Sequence, residues 1–335
     1  MKSIVLWLTD DCNLRCKYCY AKAGESKNYM EIDTFIKTLD LIEKNDFKLQ
    51  IAGGEPLMNF ELVEQIYDYL QRNNYNVRIN MQTNGTLINN EIARKIKKMN
   101  IAVGISLDGP PEVNDKLRGK TLKTINGIKQ LGSQDVIVNL NSVVTDESIK
   151  YLDKLVDIAF YCGNVYGIGL DLLRKTGRYM DNDDEVKEAT VQDIKKHLIK
   201  AYDRTKYLYK LSGRKVVLRD IEEARFRLNM KNPCKDYCHA ALGNSMVVLP
   251  NGDIYPCASL ENREEYFMGN VHDKESFKSK KLVVKTSEFC EDCKYEEFCP
   301  KGCPARLLIN SGDSGFSLQD CALRKAAFDI ASSED

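Results

Sequence analysis

Three cysteines near the start of the chain have the spacing of a metal-cluster site. Cys12, Cys16 and Cys19 follow the pattern CxxxCxxC. A cubane iron–sulfur cluster contains four irons and usually takes four thiolates, so three thiolates leave one iron open for another ligand. Zinc is the alternative, but a structural zinc ion prefers four protein ligands, and no fourth cysteine or histidine is near in the sequence. The spacing therefore favours a cluster with one open iron.

A second group of cysteines lies in the last third of the chain. Eight of the twelve cysteines fall between Cys234 and Cys321. Thirteen residues separate Cys238 from Gly252, and four more precede Cys257. The next four cysteines have the spacing CxxCxxxxxCxxxC, and a fifth cysteine follows later in the chain. These five are Cys290, Cys293, Cys299, Cys303 and Cys321. A zinc ribbon would fit residues 290–303 alone but not the whole set.

A glycine-rich turn follows the second predicted strand. It reads Gly53, Gly54, Glu55 and Pro56. Two glycines allow a ligand to approach the backbone closely, and a neighbouring carboxylate suits an ammonium group. Taken alone, the run is also compatible with a plain turn between a strand and a helix.

Two further polar residues follow the fourth predicted strand. Ser106 ends that strand and can donate to a ribose hydroxyl, and Arg118 comes twelve residues later. The planar guanidinium of an arginine pairs well with a carboxylate. The neighbouring Asp108 is compatible with a simple role in the turn.

These residues require a scaffold that brings strand ends together, and the apolar pattern predicts one. Strands are predicted at residues 4–8, 49–52, 77–81, 102–107, 136–144 and 166–172. Helices between them include residues 32–43, 62–70, 91–99 and 151–160. Such alternation predicts an α/β fold with a parallel sheet, and six repeats fit an open, partial (β/α)6 TIM-like barrel. Its active site is expected at the carboxyl ends of the strands. A polar helix over residues 184–212, with His197 at its surface, is predicted to cover the open side.

Composition excludes several classes of partner. The chain has 335 residues and a net charge of zero. Its charge therefore gives no reason to expect binding to nucleic acid or to an anionic membrane. No signal peptide or apolar stretch of membrane-spanning length is evident. Twelve cysteines in such a chain indicate metal binding rather than disulfides, and a cytoplasmic location is expected.

The cysteine loop, with Tyr18 directly before its third cysteine, resembles the signature of the radical S-adenosylmethionine (radical SAM) family. The resemblance implies that Tyr18 belongs to the cofactor site. It also implies that the glycine-rich turn, through its backbone and Glu55, holds the amino group of SAM. Ser106 and Arg118 would contact its ribose and carboxylate. Relatives often carry histidine where this chain has Asn114.

The C-terminal cysteines resemble the SPASM domain, which follows radical SAM barrels. Residues 1–230 would then form the barrel and residues 231–335 the SPASM domain. The resemblance implies two auxiliary 4Fe–4S clusters, hence three clusters in all. The ligands of the outer cluster would be Cys290, Cys293, Cys299 and Cys321. Those of the inner cluster would be Cys238, Cys257 and Cys303, with Cys234 as the available fourth ligand.

The two resemblances imply an oxidoreductase that cleaves SAM reductively to a 5′-deoxyadenosyl radical. Radical SAM–SPASM proteins mostly modify ribosomal peptides, for example by thioether or carbon–carbon crosslinks, so a peptide or protein substrate is expected. The alternatives are a small molecule or cofactor precursor, as in tetrapyrrole decarboxylation, and oxidation of Ser or Cys in a sulfatase. Sulfatase-maturing relatives carry Asp after an inner-cluster cysteine, whereas Ala258 follows Cys257 here. That difference disfavours the sulfatase alternative and leaves the general base, and hence the catalytic residues, unknown.

The resemblance also implies partners. A reductant such as flavodoxin or ferredoxin would supply the electron. Because the cysteine loop begins at Cys12, no N-terminal leader-binding domain is expected before it. A separate leader-binding protein or the barrel itself is therefore expected to recognise the peptide. An electron carrier with three clusters is the non-enzymatic alternative, which the SAM motifs disfavour.

Overall fold

The computed structural model describes residues 2–44, 47–230, 233, 236–261, 263–285, 287–311 and 315–333. In these ranges the strands are β1 (Lys2–Trp7), β2 (Phe47–Ala52), β3 (Ile79–Thr83), β4 (Ala102–Ser106), β5 (Val138–Val144), β6 (Val165–Leu172), β7 (Val217–Leu218), β8 (Ser245–Val248), β9 (Asp253–Tyr255) and β10 (Gly269–Asn270). The helices are α1 (Ile32–Leu39), α2 (Phe60–Arg72), α3 (Asn90–Lys98), α4 (Pro111–Leu117), α5 (Thr121–Gly132), α6 (Leu152–Cys162), α7 (Val191–Ser212), α8 (Arg219–Leu228), α9 (Pro304–Asn310) and α10 (Leu318–Ser332).

One sheet runs through the described part of the chain, in the order β10-β9-β8-β1-β2-β3-β4-β5-β6-β7. Strands β1 to β7 lie side by side in chain order and pair in parallel. The six predicted strands are all present, and the α/β fold with a parallel sheet is confirmed. The short strand β7 was not predicted, because two residues are too few to show a period.

The strands separate an apolar outer face from a more polar inner face. In β4, Val103 and Ile105 belong to the hydrophobic core beneath the helices, whereas Ser106 lines a cavity inside the barrel. Gln82 of β3 and Asn141 of β5 also line that cavity. Successive side chains of a strand point to opposite faces, so this alternation keeps the helices packed while leaving a polar interior.

The cysteine-rich C-terminal part continues the barrel sheet. Strand β8 pairs in parallel with β1, from Ser3 opposite Ser245 to Leu6 opposite Val248. Strands β9 and β10 extend the same edge in antiparallel fashion. Helix α10 packs against α7 and α8. Strand β8 thus joins the C-terminal part to β1, which leads into the cysteine loop, and α10 joins it to the helices next to β6 and β7.

Helix α7 differs from its prediction in length and place. It begins at Val191, not at residue 184, because the Thr190 side chain accepts a hydrogen bond from the backbone N–H of Asp193 and caps the helix. It packs against α6 and α10 in the outer layer, not over the open side of the barrel. His197 is buried there, so its predicted surface position was wrong. None of the described helices is both long enough and apolar enough to span a bilayer.

Candidate active site

The cysteine loop after β1 is held by hydrogen bonds within itself. The carboxylate of Asp11 accepts from the backbone N–H of Cys12 at 2.8 Å. Arg15 donates to the carbonyl oxygens of Cys12, at 2.5 Å, and of Gly24, at 2.7 Å. A charged side chain that satisfies several loop carbonyls fixes the loop more firmly than backbone contacts alone. The loop is therefore largely preorganised by its own sequence.

A segment after β6 clamps the same loop from outside. Arg178 donates to the carbonyl oxygens of Cys16, at 3.1 Å, and Ala23, at 2.9 Å. Gly177 has a φ of 64°, and a Cβ there would lie 2.2 Å from the carbonyl oxygen of Tyr20. A larger residue at position 177 would push the loop away. The Arg178 side chain thus supports the loop, although it also borders the cavity.

The three thiols of the loop border one cavity of about 770 Å³. Burial raises the pKa of Cys12 to about 11, and the charge of Cys19 adds to the rise. Burial likewise raises the pKa of Cys16 to about 12, with contributions from Cys19 and Cys12. The three sulfurs therefore lie within electrostatic range of one another, and a metal must displace their protons when it binds.

This donor set fits a cluster. No three His, Cys, Asp or Glu side chains in the described ranges are close enough to share one metal ion. A cluster of four irons does not require that closeness, because each thiolate binds a different iron. The three thiols could each hold one iron and leave the fourth facing the cavity.

The glycines of the turn after β2 allow it to pack directly on the cysteine loop. Gly54 donates from its backbone N–H to the carbonyl oxygen of Thr9 at 2.7 Å. A Cβ on Gly54 would lie 2.3 Å from the carbonyl oxygen of Asp11, so no larger residue fits. Both Gly53 and Gly54 border the cavity, and Pro56 begins a short 3-10 helix just behind them.

Glu55, in contrast, is fully buried and does not border the cavity. Its carboxylate accepts hydrogen bonds from the Thr83 hydroxyl at 2.6 Å and the Asn84 backbone N–H at 2.7 Å. It also accepts one from the backbone N–H of Leu57 at 3.1 Å. Burial raises the pKa of Glu55 to about 7, and these hydrogen bonds oppose the rise. The carboxylate therefore ties the ends of β2 and β3 together.

We expect the change Glu55→Gln to lower the free energy of unfolding by about 1–3 kcal/mol. The glutamine would present an amide donor to one of three buried donors, and one hydrogen bond would be lost without replacement. Urea unfolding followed by circular dichroism measures the change. Glu61→Gln, on the exposed side of α2, is the matched control and should stay within about 0.5 kcal/mol of the parent. If Glu55→Gln lowered the free energy of unfolding no more than Glu61→Gln does, the proposed link between the ends of β2 and β3 through Glu55 would be contradicted.

Arg118 is held at the cavity wall by a buried acid. Its Nε donates to Asp108 at 2.8 Å, and the Tyr18 hydroxyl donates to the same oxygen. The other Asp108 oxygen accepts from the backbone N–H of Val143 at 2.8 Å. The guanidinium carbon lies 5.2 Å from the centre of the Tyr18 ring. The Asn114 side chain accepts a hydrogen bond from the backbone N–H of Asp108 and so supports the turn that carries this acid. Asp108 and Tyr18 therefore orient Arg118.

A polar strip crosses the inner face of the sheet beside this group. Gln82 donates to the Ser106 hydroxyl at 3.0 Å and accepts from Asn141 at 2.5 Å. Arg219 donates to Asn141 at 3.2 Å. Ser106 borders the cavity, but Asn141 and Arg219 were not predicted as parts of this strip. A signal was present for Asn141, which alternates with apolar residues in the buried strand β5, whereas Arg219 begins α8 and carried no such signal.

The four thiols predicted to bind the outer auxiliary cluster surround a second cavity of about 450 Å³. They are Cys290, Cys293, Cys299 and Cys321. Burial raises the pKa of Cys321, and the charges of the other three add to that rise. The structure therefore brings together side chains that lie up to 31 positions apart in the sequence.

Three of the four thiols predicted for the inner cluster also lie together. Burial raises the pKa of Cys257 to about 11, and the charge of Cys303 adds to it. Burial also raises the pKa of Cys238, again with a contribution from Cys303. Cys234, the predicted fourth ligand, lies outside the described residues. Cys303 thus lies near the thiols predicted for the inner cluster, even though the neighbouring cysteines in the sequence are predicted to bind the outer cluster.

The far wall of the main cavity consists of side chains that were not predicted. Tyr237 and Arg324 come from the C-terminal part, and Asp171 and Arg174 from the end of β6. Arg324 contacts Asp220 at 3.4 Å. Asp171 carried a signal, as an acid inside an apolar strand, but one of its two partners, Arg306, is far away in sequence. The cavity is therefore walled jointly by the barrel and the cysteine-rich part.

Comparisons with known proteins agree with these two groups of thiols. Residues 8–159 match the model of the radical SAM superfamily, and residues 234–303 match the model of an iron–sulfur cluster-binding domain named SPASM. An uncharacterized protein of Methanocaldococcus jannaschii is 35% identical over 296 residues, which are 85% of this chain and 94% of the relative. A cysteine-type anaerobic sulfatase-maturating enzyme of Clostridium novyi is 27% identical, over 90% of this chain and 88% of the relative.

A solved structure has the same fold. It is described as native anSMEcpe with bound AdoMet and the Cp18Cys peptide. The TM-score is 0.78 at 22% sequence identity, and the match covers 99% of this chain and 97% of that chain. AdoMet is SAM, so that structure holds both a SAM molecule and a peptide.

Proposed function

The chain belongs to the radical SAM superfamily and carries a C-terminal SPASM domain, which makes it an enzyme of radical chemistry, and we propose that its substrate is a side chain of a peptide or protein. The observation that carries the proposal is the shared wall of the main cavity. Cys19 of the barrel and Tyr237 of the C-terminal part border the same space of about 770 Å³. That volume lies well within the range of ligand pockets.

The relatives that match over most of this chain support a peptide over a small molecule. The similar structure with the Cp18Cys peptide shares its fold with this chain over nearly the whole length of both. A relative of similar length is named a sulfatase-maturating enzyme, whose substrate is therefore a protein. The absence of an acid directly after Cys257 argues against the sulfatase reaction itself. A crosslink or related oxidation in a peptide fits this combination best.

When bound, SAM and the reduced open-iron cluster supply a 5′-deoxyadenosyl radical, which takes hydrogen from an unactivated carbon. The residues of this chain hold and orient the reactants. The backbone of Gly53 and Gly54 would hold the amino group of SAM, the Ser106 hydroxyl would contact its ribose, and Arg118 would pair with its carboxylate, since all four residues border the main cavity. Glu55 acts from behind by fixing the turn, and not by direct contact.

We infer three 4Fe–4S clusters from the three groups of thiols. The loop thiols bind the cluster that holds SAM, and the other two groups bind auxiliary clusters. The auxiliary clusters offer a route for the electron that the substrate radical must lose. An external reductant such as flavodoxin or ferredoxin supplies the electron that starts the reaction.

Arg118→Leu is expected to weaken SAM binding by about 2 kcal/mol or more while all the iron remains bound. The guanidinium would contribute a charge-assisted hydrogen bond to the SAM carboxylate, which leucine cannot make. Isothermal titration of the reconstituted protein with SAM measures the loss. Lys116→Leu is the matched control, because Lys116 lies two residues away and is 64% exposed, 3.5 Å from Glu147. Equal affinities for SAM in the two variants would contradict the assignment of Arg118 to the SAM site.

The substrate proposal is tested by co-expression with the short reading frames beside the gene, followed by mass spectrometry of the peptides. We expect one peptide to lose two hydrogens when the intact enzyme is present and to stay unmodified with the Cys16→Ala variant. Unmodified peptides together with an altered small metabolite would contradict the peptide substrate. That result would favour the alternative of a cofactor precursor.

A further inference from the structure

Alternating charged side chains form a closed ring around Cys303. Asp171 contacts Arg174 at 2.5 Å and Arg306 at 2.7 Å. Arg306 donates to Asp320 at 3.0 Å, and Asp320 accepts from the backbone N–H of Cys303 at 3.3 Å. Arg174 closes the ring by donating to the Cys303 sulfur at 4.0 Å. The ring joins β6 of the barrel to α9 and α10.

The members of the ring are shielded from water to different degrees. The side chains of Arg306 and Asp320 are 3% and 5% exposed, and that of Arg174 is 15% exposed. Charges in such surroundings are screened far less than charges at the surface. Arg306 is enclosed by two acids, so its charge is largely compensated. Arg174 has one acid and the sulfur as partners, which makes it the ring's cation directed at the thiol.

Arg174 also borders the main cavity. Its guanidinium carbon lies 5.5 Å from the centre of the Tyr20 ring, and Tyr20 directly follows Cys19. One cation therefore stands between the site where a substrate radical forms and the thiol of an auxiliary ligand. No motif that identifies the family includes this residue.

We propose that Arg174 sets the reduction potential of the inner auxiliary cluster, an inference that rests on the proposed function because it requires Cys303 to bind that cluster. Reduction adds one electron and hence one negative charge to the cluster. A cation that donates a hydrogen bond to a ligand sulfur stabilises the reduced form and raises the potential. A higher potential makes the cluster a better acceptor for the electron that the substrate radical gives up. Arg174 is thus a positioning residue of the electron route and not a catalytic residue.

Two variants with opposite expected shifts test this role. Arg174→Gln keeps a hydrogen-bond donor but removes the charge, whereas Asp171→Asn keeps the arginine and removes its counter-charge. The reconstituted enzyme is titrated with dithionite in the absence of SAM and followed by electron paramagnetic resonance, and SAM is added only to a separate sample. At one fixed potential, we expect the reduced-to-oxidised ratio of the inner cluster to fall at least tenfold in Arg174→Gln. That fall corresponds to a shift of about 59 mV for a one-electron couple. In Asp171→Asn the ratio should rise.

The other two clusters provide the reference within each sample. The open-iron cluster is recognised by the change of its signal on addition of SAM, and the outer cluster should keep its potential. Arg204→Gln on α7 is the matched control, since Arg204 contacts Asp157 at 2.6 Å on the outer layer, and no potential should change. If Arg174→Gln loses iron, the variants Arg174→Lys and Arg174→Met are compared in its place. The potential of the inner cluster should be higher in Arg174→Lys than in Arg174→Met.

An unchanged inner-cluster potential in Arg174→Gln, or a shift of the same sign in Asp171→Asn, would overturn the proposal. An equal shift of all three clusters would also overturn it, because that would indicate a general disturbance of the structure. The titration uses no peptide, so its failure leaves the proposed substrate class standing. Conversely, failure to modify any peptide would not alter the measured potentials.

Discussion

Replacing Cys12, Cys16 and Cys19 together with alanine is expected to remove one third of the iron and to abolish SAM cleavage. Three cubanes hold about twelve irons, so the variant should retain about eight. The loop should keep its fold, because Arg15 and Arg178 bind its carbonyl oxygens and not its sulfurs. Iron analysis and the yield of 5′-deoxyadenosine under dithionite measure the two effects.

The control for this variant is another cysteine of the same chain. Cys162 ends α6, is half-buried and belongs to none of the three groups of thiols. Cys162→Ala should keep about twelve irons and should cleave SAM at the parent rate. If the triple variant retained all of its iron, the assignment of the open-iron cluster to the loop would be wrong.

Changing Cys290 and Cys293 to alanine is expected to separate SAM cleavage from product formation. Both thiols border the second cavity, whereas the loop thiols and Arg118 border the main one. The variant should lose the outer cluster and still produce 5′-deoxyadenosine with dithionite. It should yield no oxidised peptide, because the substrate radical would lack a complete electron route.

Loss of a cluster can also unfold the part that holds it, since metal binding contributes folding free energy. Circular dichroism and an iron content of about eight per chain establish that the variant is folded. The stacked rings of Tyr295 and Phe328, 4.8 Å apart, hold α10 near the outer thiols and favour that result. Normal product from a folded variant without the outer cluster would contradict the electron route.

The sequence was sufficient for the barrel strands, whereas the grouping of the thiols stays a prediction. Strands such as β2 and β4 are short apolar runs bounded by turns, which carry a clear local signal. The placement of Cys303 with Cys238 and Cys257 followed from the resemblance and not from its neighbours. In the structure its charge raises the pKa of both other thiols, as that placement expects.

The inward role of Glu55 could not be derived from its motif. A carboxylate beside two glycines suits a ligand ammonium equally well, and only the positions of Thr83 and Asn84 show where it points. The pairing of Asp171 with Arg306 was also out of reach, because Arg306 lies 135 positions further along the chain. Contacts of this kind depend on how β6 and α9 pack together, which no local pattern encodes.

The pairing of β8 with β1 is a third feature that the sequence concealed. Residues 245–248 are an apolar run too short to be distinguished from a buried turn. Its place beside β1 joins the C-terminal part to the strand that leads into the cysteine loop. The proximity of the two parts, on which the electron route depends, therefore became visible only in the folded chain.

Transfer of deuterium from substrate to 5′-deoxyadenosine tests the central proposal most directly. The peptide encoded beside the gene would be produced in deuterated medium and incubated with the reconstituted enzyme, SAM and dithionite. If the radical formed in the main cavity takes hydrogen from a peptide carbon, the 5′-deoxyadenosine should carry one deuterium, and the peptide should lose two hydrogen atoms, at least one of them a carbon-bound deuterium. Formation of 5′-deoxyadenosine without deuterium, beside an unchanged peptide, would contradict the proposed function.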